Sequence, residues 1–511
     1  MASRKKMLGA LLAAFTVAAT VVVPVTANAA NNAPKGDLIF VRNQDFATFD
    51  PDLAQNDSLF IQQQVYEGLF RGLKSGKGVE PWLAKSYSTA PDGVTWTFKL
   101  RTDVKFSNGT PMTSADVKFS LDRATAGEGW GFINTAIDTI SAPAPDTVVI
   151  KTKFKWAPLL ADLGCFSNSI LPANFGGKTA AEFFKAPIGT GPFMLDKWTP
   201  GTEIKLVANT NYWQPGKPYL NSVTWKYVPD DNTREFMLKG GQADINEEPP
   251  AATIKSLQVS PNIKVGIFPA AASNYLAFNH KVPALSDVHV RRAISYAVDR
   301  ASINKVVFSG LGTPSNSFLA PGVNFYDKKT PGVQFDLKKA ASELAMSKYK
   351  KGLKLELLIR GGNKAHEATA SILQASLKKI GITMTIKAQE PSVQRATQKA
   401  MNYQMTLTAW TMDIVDPDQL LTFGLSPEGG TNAFYTNYNN KAVNAAIKKG
   451  QTNVDPKVRQ AAYSFVQKQV ADDAFMAFTI NPPYLYAWTN KITGFYVNPL
   501  YSYHMEDVKK G

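Results

Sequence analysis

Between Leu353 and Ala409 the hydrophobic period changes from strand to helix and back, and this restricts the chain more than any other stretch. Leu353, Leu355, Leu357, Leu358 and Ile359 form a short apolar run. Ile372, Leu373, Leu377 and Ile380 then follow helical spacing, and Ile382, Met384 and Ile386 alternate as a second strand. Two strands joined through a helix run parallel, with the helix crossing one face of their sheet. A helix near 394–400 and a third strand around 404–409 extend this βαβ unit, so a largely parallel sheet is expected here. The fold class is α/β.

The first half reads as mixed, with β structure prominent. Leu38 to Val41 is a buried strand ending in the aromatic loop Asn43 to Pro51, and a helical stretch is expected around Ser58 to Leu69. Val94, Trp96, Phe98 and Leu100 alternate with polar neighbours, and Val104 and Phe106 continue the alternation up to the Asn108-Gly109 turn. Thr113 and Asp116 have capping-box spacing and open a helix through Ala124. Ile204, Leu206 and Ala208 mark one further strand, and Val223, Trp225 and Tyr227 another. Later, Val290, Ala293, Ile294, Ala297 and Val298 make one apolar helical stripe that Ser286 can cap. Arg291 and Arg292 lie off that stripe and are assigned to a solvated face. There is no internal repeat and no long low-complexity linker.

With 511 residues, of which 44% are hydrophobic and 19% charged, the chain can bury large cores in about two to four domains. Its formal charge of +15 is dispersed without a basic cluster of five or more, and nucleic acid is not an expected partner. Arg4, Lys5 and Lys6 precede an apolar run from Met7 to Val23, then Pro24 and the small-residue pattern Ala27-Asn28-Ala29. Residues 1–29 read as a secretory signal peptide cleaved after Ala29, the alternative being an uncleaved anchor near the lower spanning length. The single Cys165 forms no internal disulfide, and no cysteine at the end of the leader accepts lipid. A bacterial periplasm is the simplest destination.

Ligands in α/β sheets gather at the carboxyl ends of strands. Two segments occupy such positions, Arg360-Gly361-Gly362-Asn363-Lys364 and the run from Trp410 through Met412 and Asp413 to Asp418. If both open on one crevice, Asp413 accepts from an ammonium, Arg360 offers a fork to a carboxylate and Trp410 supplies a flat apolar wall, which suits a zwitterionic solute. The local alternatives are that Asp416-Pro417-Asp418 starts a helix, Arg360 pairs with a surface acid and Trp410 is core. Asp45 and Phe46, in the loop after the first strand, are further candidates. Enzyme chemistry finds little support: His280, His289, His366 and His504 form no paired metal spacing, and no nucleophile elbow, Walker loop or dinucleotide fingerprint occurs. Gly189-Thr190-Gly191-Pro192-Phe193 is read as a tight turn, because Pro192 removes an amide donor from any phosphate loop. No cofactor, metal or catalytic residue is expected.

Tyr66-Glu-Gly-Leu-Phe70, Pro81-Trp-Leu-Ala-Lys-Ser86, Asp92 to Arg101, Lys105-Phe-Ser-Asn-Gly109, Asp116 to Ser120, Gly189 to Phe193, Asn211-Tyr-Trp213, Val290 to Ile294 and Ala297-Val-Asp-Arg300 together carry a resemblance. Over nearly the whole chain after the leader, the sequence resembles the family 5 bacterial extracellular solute-binding proteins, the peptide and nickel class serving ABC importers. The resemblance implies a two-lobed periplasmic-binding-protein fold of type II. Lobe I would span 30–277 with an extra subdomain at about 76–200, lobe II 278–484, and residues 485–511 would return to lobe I. Hinge crossings are expected near Tyr275 to Asn279, with Tyr275 a ligand candidate, and near Asn481 to Trp488. In similar dipeptide binders an Asp after the Trp of a W-T-x-D segment holds the ligand amine, and Asp413 matches it. Their carboxylate-binding Arg has no counterpart in Ala365-His366-Glu367-Ala368, which leaves Arg360 or Lys364 for that role. A monomer capturing a peptide or other small solute for an inner-membrane permease is implied. Nickel or metal-chelate binding, a secreted peptide hydrolase and a periplasmic chaperone are the alternatives.

Overall fold

The strand–helix–strand pattern forms one edge of a five-stranded sheet in the computed structural model, which describes residues 35–55, 58–330, 332–427 and 435–511. The expected signal peptide lies outside the described residues. Among those described, no helix is long and apolar enough to cross a membrane. The five strands are ordered Thr383–Gln389, Lys354–Arg360, Met405–Thr411, Ala272–Phe278 and Met476–Phe478. Lys354–Arg360 runs parallel to both neighbours, as a helical crossover requires. Ala272–Phe278, however, is antiparallel to Met405–Thr411 and to Met476–Phe478. The largely parallel sheet is therefore corrected to a mixed one: Ala272–Phe278 enters directly from another sheet, and Met476–Phe478 leads back to it, without a helical crossover between them and that sheet.

That other sheet has seven strands, in the order Ile263–Phe268, Tyr484–Thr489, Ile245–Glu247, Asp37–Arg42, Ser222–Tyr227, Glu203–Ala208 and Phe193–Thr199. The chain passes between the two sheets twice, from Phe268 to Ala272 and from Phe478 to Tyr484. Residues 272–278, which the sequence-based boundary assigned largely to the first lobe, pair within the five-stranded sheet. Each sheet has its own core: Phe40, Phe60, Trp225 and Tyr503 in the first, Leu276, Ile294, Leu357 and Leu373 in the second. A four-stranded antiparallel sheet, with strand order Ala84–Thr89, Thr95–Leu100, Thr147–Thr152 and Ile137–Ala144, buries Trp96, Phe98 and Leu100 against the helix Ser114–Ala126. The Asp116 carboxylate accepts the Thr113 N–H at 2.7 Å, as the capping-box spacing required. Val104 and Phe106 are buried but flank an isolated bridge rather than extending a strand.

Four further expectations are revised. The helix expected over Ser58 to Leu69 is confined to Leu59–Gln62. Beyond it, the carbonyls of Gln64 and Val65 accept from Phe193 and Gly191 at 3.0 and 2.9 Å instead of continuing the helical ladder. A Cβ at Gly189 would stand 1.9 Å from the Val65 carbonyl oxygen, so this glycine serves close backbone approach rather than a tight turn.

The helix Val288–Tyr296 is capped by Asp287, not Ser286: the Asp287 carboxylate accepts the His289 N–H at 2.9 Å and the Ser347 hydroxyl at 2.6 Å. Ser286 instead donates to the Pro283 carbonyl. Replacing Asp287 by alanine is expected to cost ~1 kcal/mol of stability, whereas Ser286→Ala changes little, as denaturant titration of both variants would show. Arg291 is not on a solvated face. It is buried and donates to the carbonyls of Leu285, Ser286, Asp473 and Ala474, while Arg292 donates to that of Asp472. Both arginines thus satisfy carbonyls at the carboxyl end of the helix Pro456–Asp472, which otherwise lack partners.

Candidate functional site

A cavity lies between the core of the seven-stranded sheet and the end of the strand Met405–Thr411, and about 900 Å³ of it is unoccupied by protein atoms, part of this open to solvent. Phe60, Tyr66, Glu67 and Arg71 line one wall, Cys165 and Phe166 another, and the carboxyl-terminal segment from Asn498 to Glu506 a third. Thr411 and Asp413 close it from the end of the strand Met405–Thr411, at the carboxyl edge of the five-stranded sheet.

Asp413 is half-buried because one side faces this cavity, yet protein encloses its carboxyl and burial pushes its pKa up to about 7. Gln419 counters this by donating Nε2–H to Asp413 Oδ2 at 2.5 Å, while its Oε1 accepts the Asp413 N–H at 3.0 Å. The same glutamine therefore fixes both ends of the residue. Glu67 is also pushed up to about 7 by burial, offset by donors that favour its charged form. The indoles of Trp82 and Trp213 donate to it at 2.7 and 3.1 Å, and the Tyr212 hydroxyl at 3.1 Å.

Arg71 lies 3.4 Å above the Trp82 ring and bridges Glu80 at 2.9 Å and Glu506 at 3.0 Å. Burial works against its charge, but Glu506 and Glu80 outweigh it and hold its pKa above the ordinary value. Burial raises Glu506, against the pull of Arg71, and lowers His504 to about 3, so this imidazole is neutral at physiological pH. The Cys165 thiol is pushed up to about 12 by burial, which keeps it protonated and poorly nucleophilic. The lining thus presents the carboxyls of Glu67, Asp413 and Glu506 against one guanidinium. Such a lining favours a ligand carrying a cationic group, with its apolar parts against Phe60, Tyr66 and Phe166.

Among the expected ligand residues, Asp413 is the one that lines this cavity. Met412 is buried in the adjoining core, and Trp410 stands with its ring centroid 5.4 Å from that of Phe423. Phe423 in turn stacks on Phe132 at 4.3 Å. Tyr275 is buried and borders a separate, smaller cavity with His366 and Thr408. The Asp45 carboxylate accepts the N–H groups of Phe46 and Gly201 at 2.9 and 2.7 Å, and Phe46 packs against Phe49 and Trp198. Asp45 and Phe46 therefore fasten their loop to the seven-stranded sheet. Arg360 is exposed, with its N–H directed at His366 Nδ1, and Lys364 pairs with Glu367 at 2.9 Å. The crevice shared by Arg360 and Asp413 is thus not formed, and Arg71 is the guanidinium that lines the cavity.

Residues 66–71 and 498–506 were not among the candidates. A signal for the first existed, since Glu67 is an acid within the otherwise apolar run Tyr66 to Phe70. The second has neither strand nor helix periodicity, and its position depends on chain closure. Among the described residues no group of three or more His, Cys, Asp and Glu side chains is arranged to hold a metal ion.

Residues 78–432 match the family model described as bacterial extracellular solute-binding proteins, family 5 Middle. The glutathione-binding protein GsiB of Escherichia coli strain K12 is 27% identical over 484 residues, covering 92% of this chain and 94% of that protein. Among solved structures, the periplasmic binding protein DppA from Helicobacter pylori in complex with the peptide STSA superposes with a TM-score of 0.80 at 26% identity. That match covers 92% of this chain and 98% of DppA. NikA from Brucella suis in complex with Fe(III)-EDTA gives a TM-score of 0.83 at 25% identity, over 93% of this chain and 100% of that one. The fold these proteins share with this chain is the two-lobed, type II α/β architecture.

Proposed function

The chain belongs to the bacterial extracellular solute-binding proteins of family 5, and from that premise we propose that it captures a peptide or other small zwitterionic solute between its lobes and hands it, unaltered, to an ABC importer. Members of this family bind solutes rather than transform them. The observation that carries the choice of solute is the cavity's charge arrangement. Asp413 is an acceptor for an ammonium, and Arg71, stacked on Trp82 and bridged to Glu80 and Glu506, is the guanidinium of the lining that a ligand carboxylate can approach. DppA was solved with a peptide and GsiB is a glutathione-binding protein, both ligands with an amine and carboxylates. The Fe(III)-EDTA chelate bound by NikA offers no ammonium group for Asp413, so a peptide-like cargo fits better.

In this reading the leader directs a monomer to the periplasm. The lobes, about 30–277 and 278–484 with 485–511 returning to the first, close over the ligand, and affinity for the closed form supplies the driving free energy. Incubation of the purified protein with a defined peptide mixture, followed by native mass spectrometry, is expected to show one-to-one complexes with intact peptides. Cleaved peptides, or no complex with any peptide or amino-acid derivative at micromolar protein, would set the proposal aside.

A further inference from the structure

Beside the edge strand Met476–Phe478, at a cavity that shares no lining residue with the one at Asp413, Arg300 is buried with 8% of its surface exposed. Nη1 donates to the carbonyls of Ser295 and Val298 at 3.4 and 3.2 Å. Nε is fully buried and meets no acceptor, and no carboxylate of the described residues pairs with the guanidinium. The neighbouring acid, Asp299, is committed to capping the helix Arg300–Phe308, where it accepts the Ser302 N–H at 3.0 Å and the Ser302 hydroxyl at 2.7 Å. A small cavity opens beside Arg300 and is bordered by Ser295, Ser315, Asn316, Met476 and Phe478. The Ser295 hydroxyl is likewise buried and unpartnered.

Burying a guanidinium costs its hydration, which acceptors or an opposite charge must offset. Here Arg300 and Ser295, each with one buried unpartnered polar atom, border the same cavity, which has room for about one water-sized particle. Water in that space supplies only a dipole, whereas a small anion supplies the compensating charge. We propose that this cavity is a binding site for a single monoatomic anion, chloride in solution, held by Arg300 Nε–H and the Ser295 hydroxyl.

The site joins the helices Val288–Tyr296 and Arg300–Phe308 to the strand Met476–Phe478, which pairs with Ala272–Phe278 shortly before the chain returns to the seven-stranded sheet. Its ligand is therefore a structural ion of the second core and not the transported solute. Thermal unfolding of the full chain, titrated with sodium bromide against sodium gluconate at constant ionic strength, is expected to show a saturable rise in Tm of ~2–5 °C. Crystals grown with bromide should show an anomalous peak within hydrogen-bond reach of Arg300 Nε, and Arg300→Met should lose the halide-dependent part of the Tm. Water density at that position together with a linear or absent halide response overturns the proposal, as does an undiminished response in Arg300→Met. Should that variant fail to fold, the wild-type peak and saturation decide alone.

Discussion

Glu247→Ala is expected to destabilise the protein by ~3–5 kcal/mol, the cost of removing one member of a buried ion pair. Arg42 is 2% exposed and Glu247 1%, and Arg42 Nε donates to Glu247 Oε2 at 2.8 Å. The pair joins the adjacent parallel strands Asp37–Arg42 and Ile245–Glu247 at the centre of the seven-stranded sheet. Burial works against the Arg42 charge, but the Glu247 carboxylate outweighs it and raises the arginine pKa. Glu247 also accepts the Tyr486 hydroxyl at 3.2 Å, and the Tyr501 hydroxyl lies 3.0 Å from Glu247 and 2.7 Å from Glu248, so truncation removes the acceptor of Arg42 and Tyr486 and a neighbour of Tyr501 at once. Because Tyr501 lines the solute cavity, ligand affinity should fall together with stability. Denaturant titration of the first unfolding transition measures the effect. Replacing both residues, as Arg42→Met with Glu247→Leu, should recover much of the loss, since an apolar pair leaves no uncompensated charge. A loss within ~0.5 kcal/mol for Glu247→Ala, the usual range for surface positions, would mean that solvent reaches the pair and that the strands are not joined as described.

The same pair illustrates how far the sequence could be read. Period-two and period-3.6 patterns located the strands Glu203–Ala208, Ser222–Tyr227 and Lys354–Arg360 and the helices Ser114–Ala126 and Lys364–Lys379, because local periodicity reports which face is buried. Nothing local reports that Arg42 meets a glutamate 205 positions later, or that Arg291 caps a helix ending near Asp473. Those contacts are products of topology. The βαβ period likewise could not show that Ala272–Phe278 enters antiparallel, since its strand partners are remote in sequence. At the cavity, Asp413 was legible because it follows a strand end directly. Arg71 and Glu506 were not, because their role exists only once residues 435 positions apart are brought to 3.0 Å. Arg360 was overvalued for the opposite reason: it occupies a strand end, but its side chain is exposed to solvent rather than facing the cavity.

Asp413→Asn is expected to weaken binding of an amine-bearing ligand by ~30-fold or more at pH 8, corresponding to ~2 kcal/mol or more for a buried charged hydrogen bond that loses its charge. The substitution preserves shape, and Gln419 can still bond to the amide, so the loss reports charge rather than packing. Burial sets the pH behaviour. With the Asp413 carboxyl pushed up to about 7, the ligand-free protein holds its proton below that pH, and an ammonium ligand must displace it. Wild-type affinity should therefore fall by up to ~10-fold per pH unit below about 7. Asp413→Asn should remove that slope. Stability moves the other way. A carboxyl whose pKa is higher folded than unfolded stabilises the protein while protonated, and this contribution is lost as pH rises from the ordinary 3.8 to about 7. Without ligand, the asparagine variant should thus match wild type near pH 4 and gain on it up to pH 8. Glu67, also raised to about 7, is the competing source of such a slope. Calorimetric titration of wild type, Asp413→Asn and Glu67→Gln between pH 5 and 8 separates them: a slope that survives in Asp413→Asn and vanishes in Glu67→Gln would transfer the ammonium contact to Glu67. Unchanged affinity in Asp413→Asn would remove Asp413 from the binding site altogether.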